Sequence, residues 1–126
     1  MALEKTIKVL VIDDSETMRH SLHRFLNAFG NLQWVGESSN GLDTIGECER
    51  LCPDVILIDV AIPHIDVAQL TQSIRSRFPH TQVIGTAGFE DQAIIEKVLQ
   101  AGAFVCVSKN ANIFLIADAV RRATET

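Results

Sequence analysis

Five short apolar runs, rich in β-branched residues, alternate strictly with five helix-period patterns along the 126 residues, with short connections between them. Few folds accept that order. Strand and helix in strict succession over short links build a doubly wound parallel sheet covered by helices on both faces. The stretch Asp54 to Pro63, D-V-I-L-I-D-V-A-I-P, anchors the reading. Val55 to Ile58 is apolar at every position, as befits a strand buried on both sides. The run ends on Asp59. Pro63 then closes the loop, since it has no N–H for a ladder and biases the residue before it away from helix.

The other elements follow the same logic. Thr6 to Ile12 is the first strand, ending on Asp13-Asp14-Ser15, of which Ser15 or Asp14 can cap the next helix. That helix carries an inward stripe of Met18, Leu22, Phe25, Leu26 and Phe29 and stops at Gly30. Leu32 to Glu37 is a more polar strand suited to a sheet edge. After Ser39-Asn40-Gly41 comes a helix that turns Leu42, Ile45 and Leu51 inward and ends at Pro53. Val67, Leu70, Ile74 and Phe78 mark a third helix, closed by Pro79. Gln82 to Gly85 is the fourth strand, with Thr86-Ala87-Gly88 at its tip. A helix from Asp91 to Ala101 buries some of Ile94, Ile95, Val98 and Leu99, and Gly102 caps it. Phe104 to Val107 is the fifth strand, Lys109 stands just past it, and Ala111 to Ala123 is the last helix.

Composition narrows the class. At 47% hydrophobic and 21% charged, the chain reads as one soluble domain. It has no apolar run of about 18 residues and no basic-then-apolar start, so we expect neither a membrane span nor a signal peptide, and a cytoplasmic location. A net charge of −5 without a Lys/Arg cluster argues against direct nucleic-acid binding. The three cysteines suggest no disulfide framework. Cys48 and Cys52 share an i, i+4 spacing but lack companions for a zinc set, so both read as buried thiols.

In a right-handed β/α array every strand opens its C-terminal end on one edge. That rule gathers Asp13, Asp14, Asp59, Thr86 and Lys109 from across the sequence. Close carboxylates repel, each pair by about 4 kcal/mol at roughly 4 Å in an effective dielectric near 20. Lys109 supplies one compensating charge, and a hard divalent cation such as Mg²⁺, held through oxygens, supplies the rest. A carboxylate beside a cation and an ammonium can attack phosphorus, because both stabilise the oxygens of the transferring phosphoryl. Thr86 offers a hydroxyl at the same edge.

V-I-D-D-S-E-T-M-R, the D-x-x-x-P of Asp59 to Pro63, Thr86-Ala87, and the lysine after A-G-A-F-V-C-V-S resemble the receiver domain of two-component response regulators, over essentially the whole chain. The resemblance implies a flavodoxin-like (βα)5 fold. It also implies a signalling domain that acts chemically only on itself, by taking on and losing a phosphoryl group. The donor would be a sensor histidine kinase or a phosphotransfer protein. By position, Asp59 would be the phosphoacceptor. Asp14, Asp59 and the backbone carbonyl of Ala61 would hold Mg²⁺ directly, with Asp13 acting through water. Thr86 and Lys109 would bind phosphoryl oxygens. Asn110-Ala111 after the lysine resembles the subgroup whose output domain is a LuxR-type helix-turn-helix, and residues 1–126 read as the receiver alone.

Two features depart from that family's pattern. Cys106 stands where receivers usually carry an aromatic that follows the threonine, which puts the usual coupling in question. Ile113, Phe114 and Leu115 open the last helix where related sequences often have Pro and acids. Successive helical residues turn by about 100°, so three in a row cannot all face the sheet. We expect Phe114, near Phe104, to stay exposed on the face of the fourth helix, fifth strand and fifth helix, as a dimer or partner surface. A receiver fold that signals by constitutive binding is the alternative reading. A hydrolase using Asp59 lacks the second acid, since that position is Ala61. A flavin site lacks a phosphate-cradling loop after the first strand. His20 and His23, with Arg19 and Arg24, read as a polar face of the first helix.

Overall fold

The computed structural model describes residues 5–125. Strands β1 (Ile7–Ile12), β2 (Leu32–Ser38), β3 (Val55–Asp59), β4 (Gln82–Ala87) and β5 (Val105–Ser108) form one parallel sheet in the order β2-β1-β3-β4-β5. Helices α1 (Glu16–Asn27), α2 (Thr44–Leu51), α3 (Val67–Arg77), α4 (Gln92–Gln100) and α5 (Ile113–Ala123) link and flank the strands. This is the flavodoxin-like doubly wound order, with its switch point between β1 and β3.

Strand alternation divides the interior into two layers. Val9, Val11 and Leu57 face α1 and α5, where they meet Leu22, Leu26, Ile116 and Val120. Leu10, Ile12, Ile56 and Ile58 face the other helices and meet Cys48, Ile74 and Val98. Every residue of β3 is buried, as its unbroken apolar run requires. The polar β2 lies at an edge, with a register shift against β1 between Val9 and Leu10. Side-chain caps fix where three helices begin: Ser15 accepts from the Met18 N–H, Asp66 from Gln69 and Asn112 from Phe114. Gly102 takes a φ of +117° after α4, a conformation that L side chains rarely adopt.

Several boundaries and faces differ from expectation. Leu42 is 71% exposed because α2 begins only at Thr44; Thr44 and Cys48 are its buried residues, while Ile45 and Leu51 are half-buried. Cys52 is exposed, not buried, and ends α2 in a left-handed conformation ahead of Pro53. Phe25 is exposed, since Leu22 and Leu26 already cover the sheet. Gly30 does not cap α1, which ends at Asn27; Phe29 has left the helix and folds back on the core. β4 runs on through Thr86, which pairs with Asp59 in the ladder. Phe104 precedes β5, and α5, capped by Asn112, starts at Ile113, two residues later than its pattern suggested.

Phe114 is 68% exposed, as its place in the triplet required, but on a different face. Its ring meets Phe29 edge-on, with centroids 5.7 Å apart, so it sits on the α1 side of α5 and not against α4 and β5. Arg121 lies over the other partner of that pair, 5.2 Å from the Phe29 centroid. The exposed Leu115 is turned about 100° further round the helix.

Candidate functional site

Asp59 ends β3 with β1 and β4 hydrogen-bonded on either side, which leaves its carboxylate one open direction, out of the C-terminal edge. Its Oδ1 accepts the Ala61 N–H at 2.9 Å, and its Oδ2 accepts from Lys109 Nζ at 2.8 Å. The Asp59 side chain is only 3% exposed, whereas that of Lys109 is 34% exposed and reaches in from the rim. Lys109 is itself held in place by its N–H, which donates to the Ala87 carbonyl at 3.0 Å.

Asp13 is buried at the end of β1 and accepts the Ser15 N–H at 2.8 Å, while Asp14 beside it is exposed. One carboxylate oxygen from each of Asp13, Asp14 and Asp59 falls within 4.8 Å of the other two. Burial pushes the Asp13 carboxyl above its usual range; the Ser15 N–H opposes this and the charge of Asp59 adds to it. Burial alone would lower the Lys109 ammonium, but its hydrogen bond to Asp59 and the charges of Asp59, Asp13 and Asp14 prevail and hold it above the ordinary lysine value. One ammonium thus faces three acids. An oxygen-only donor set with surplus negative charge suits a hard cation such as Mg²⁺.

Thr86 is buried next to Asp59 in the ladder, and its Oγ1 has no hydrogen-bond partner among the described residues. Buried hydroxyls are rarely left that way. The sheet therefore brings Asp13, Asp14, Asp59, Thr86 and Lys109 to one edge, with Ala61 in the loop beyond Asp59.

Cys106 lies half-buried on β5. It borders a hollow of about 230 Å³ rimmed by Phe89, Gln92, Ile95 and Ser108, and the fully exposed Phe89 stands at its mouth. Burial raises the Cys106 thiol and a hydrogen bond with Gly85 moderates the rise. A larger groove of about 1140 Å³, bordered by Lys8, Pro53, Pro79 and Thr81, opens at the other end of the strands, far from the acidic cluster. Chemistry, not size, marks the site.

Arg19 was missed. Its guanidinium is not part of a solvated face: Nη1 donates to the Asp13 carbonyl at 2.6 Å and Nε donates to Glu37 Oε1 at 3.0 Å. The one available signal was its position a turn beyond the Ser15 cap.

Comparison with known proteins agrees with this geometry. The chain belongs to the response regulator receiver domain family, whose model matches residues 9–121. It is 32% identical over 117 residues to the response regulator protein VraR of Staphylococcus aureus, covering 93% of this chain and 56% of the relative, so it spans about half the length of such relatives. The receiver domain of the response regulator NarL from Mycobacterium tuberculosis superposes with a TM-score of 0.82 at 27% identity, over 94% of this chain and 98% of that one. The response regulator domain of CheB from Thermotoga maritima gives 0.82 at 26% identity, over 97% and 98%. A LuxR-family regulator from Staphylococcus aureus shares the fold, with a TM-score of 0.85 at 18% identity, over 94% and 99%. Receivers are signalling domains, and among the described residues no helix is long and apolar enough to cross a membrane.

Proposed function

We propose that this receiver is a phosphorylation-driven switch whose phosphoacceptor is Asp59. The observation that carries the reading is the meeting of Asp59, Lys109 and the acids Asp13 and Asp14 at one strand edge. The donor is a histidine kinase or a phosphotransfer protein of the cytoplasm. An Asp59 oxygen forms the bond to phosphorus as the P–N bond of the donor phosphohistidine breaks, and the imidazole leaves with that electron pair. Lys109, already bonded to Oδ2, follows the negative charge onto the phosphoryl oxygens. The Ala61 N–H holds the other carboxylate oxygen in orientation. Asp13, Asp14, Asp59 and the Ala61 carbonyl are the groups that would hold Mg²⁺, which when bound supplies further positive charge to the phosphoryl oxygens.

Thr86 carries the result outward. Its hydroxyl, without a partner among the described residues, gains an acceptor once a phosphoryl oxygen arrives, and β4 gives way to the loop into α4 one residue later, after Ala87. Moving a two-state equilibrium from 1:99 to 99:1 needs about 5.5 kcal/mol of preference. A new charge of about −1.5 to −2 beside an ammonium and a cation can supply part of it. The α4–β5–α5 face, where Leu99, Phe104 and Leu115 are exposed, is where the change would be read, by a second copy or by an output domain of the kind a LuxR-type regulator carries. Constitutive binding with an altered switch draws on Cys106 and on the apolar start of α5, where Phe114 and Leu115 are exposed, whereas every position that phosphoryl chemistry needs is filled.

The test is incubation with Mg²⁺ and acetyl phosphate followed by intact-mass measurement. One phosphoryl should be gained, and Asp59→Asn should abolish the gain. An unmodified wild-type chain, with that donor and with histidine kinases alike, would overturn the proposal.

A further inference from the structure

Asp13 is held on three sides. Its N–H donates to the Ser38 carbonyl at 3.0 Å, its Oδ1 accepts from the Ser15 N–H at 2.8 Å, and its carbonyl accepts from Arg19 Nη1 at 2.6 Å. The β1–α1 turn that presents Asp13 and Asp14 is therefore tied to the end of β2 twice. Ser38 ties it directly through the backbone. Glu37, one residue earlier, ties it through Arg19, whose Nε donates to Glu37 Oε1 at 3.0 Å.

We infer that Arg19 is a positioning residue for Mg²⁺ at the acidic cluster, an inference that rests on the phosphorylation reading above. An exposed Arg–Glu pair alone would argue for little. Here the Arg19 side chain is only 13% exposed, against 40% for Glu37, and its second bond runs to a main-chain oxygen between the two acids. That choice of acceptor matters. Arg19 contributes no hydrogen bond to a carboxylate oxygen of Asp13 or Asp14, so those oxygens stay available to a cation while the peptide that carries them is fixed. A guanidinium is also the side chain suited to the task, because its planar fork reaches two acceptors from different elements at once, and an ammonium is a single point. Groups that orient metal ligands typically change affinity by about 10–100-fold when removed.

The experiment compares wild type, Arg19→Lys, Arg19→Gln and Glu37→Gln. Calorimetric Mg²⁺ titration is run at a temperature where every variant has the wild-type circular dichroism spectrum. Both Arg19 variants should bind Mg²⁺ about tenfold more weakly. Glu37→Gln keeps an oxygen acceptor for Nε and should stay within about twofold of wild type. With acetyl phosphate, the Mg²⁺ concentration giving half-maximal rate should rise about tenfold in the Arg19 variants while the rate at saturating Mg²⁺ changes less than about twofold; a merely structural defect would lower the saturating rate as well. Arg122→Gln, which breaks the exposed pair with Asp118, controls for loss of a surface ion pair. Wild-type Mg²⁺ affinity in both Arg19 variants, with wild type taking up phosphoryl normally, overturns the positioning role and leaves the phosphorylation reading standing. Failure of wild type to bind Mg²⁺ overturns both.

Discussion

Lys109 Nζ donates to Asp59 Oδ2 at 2.8 Å across a sequence separation of 50 residues, joining the tip of β5 to the tip of β3 over the intervening β4. The two ends of that bond sit in different surroundings: the carboxylate is 3% exposed and the ammonium side chain 34%. Loss of the ammonium leaves a desolvated anion facing Asp13. Lys109→Met should therefore destabilise the metal-free protein by about 1–3 kcal/mol, and adding Asp59→Asn should restore most of the loss, since neither half of the pair remains charged. Urea denaturation of both singles and the double measures this. Strictly additive effects would contradict the pairing.

The Thr86 hydroxyl is buried without a partner among the described residues, so its removal should cost the resting state nothing. Thr86→Val keeps the shape and should leave metal-free stability unchanged or raise it by about 1 kcal/mol. The cost should appear only after phosphorylation. Protection of the β4–α4 loop against hydrogen exchange should rise on phosphorylation in wild type and much less in the variant. Equal protection in the two proteins would count against a threonine relay.

Gly85 of β4 pairs with Cys106 of β5 and is closely packed on its side-chain face. A Cβ there would lie 2.7 Å from Val60 Cγ1 and 2.8 Å from Cys106 Sγ. Gly85→Ala should destabilise by about 1–3 kcal/mol through overpacking. Cys106→Gly in the same chain should recover part of that loss, a coupling that unfolding free energies detect directly.

The three thiols should separate by reactivity. Cys52 is exposed and should react first with maleimide, Cys106 more slowly, and Cys48 only on unfolding. Burial, with help from Glu47, pushes the Cys48 thiol from 9.0 up to about 11. Because folding raises this value, the neutral thiol's support for the fold is complete below about pH 9 and is lost as the pH rises through about 11. Cys48→Ala should remove that alkaline step from the stability profile; an unchanged step would reassign it.

Much of this arrangement is legible in the sequence. A run such as Val55–Ile58 can be buried only between flanking strands, and strict alternation sends all five strands in one direction, so the acids and Lys109 had to share an edge. Periodicity was weaker at helix starts, where capping decides. The spacing of Leu42 fits an inward stripe, but α2 begins two residues later and leaves it in water. For Phe114, exposure followed from the 100° turn, yet the flank it occupies depended on Phe29 leaving α1, which no local pattern announces. Arg19 was illegible for a related reason: its acceptors are a carbonyl at the end of β1 and an acid on β2, and only the folded turn brings them within reach.

The separation spanned by the Asp59–Lys109 bond carries a further consequence. With β4 lying between the two strands, the ammonium reaches the carboxylate only after the last third of the polypeptide has docked. A partly assembled intermediate, or a native molecule in which β5 and α5 have transiently peeled away, would keep its acids but lack its cationic partner. On the proposed reading, competence to accept a phosphoryl group would therefore be acquired only as folding completes.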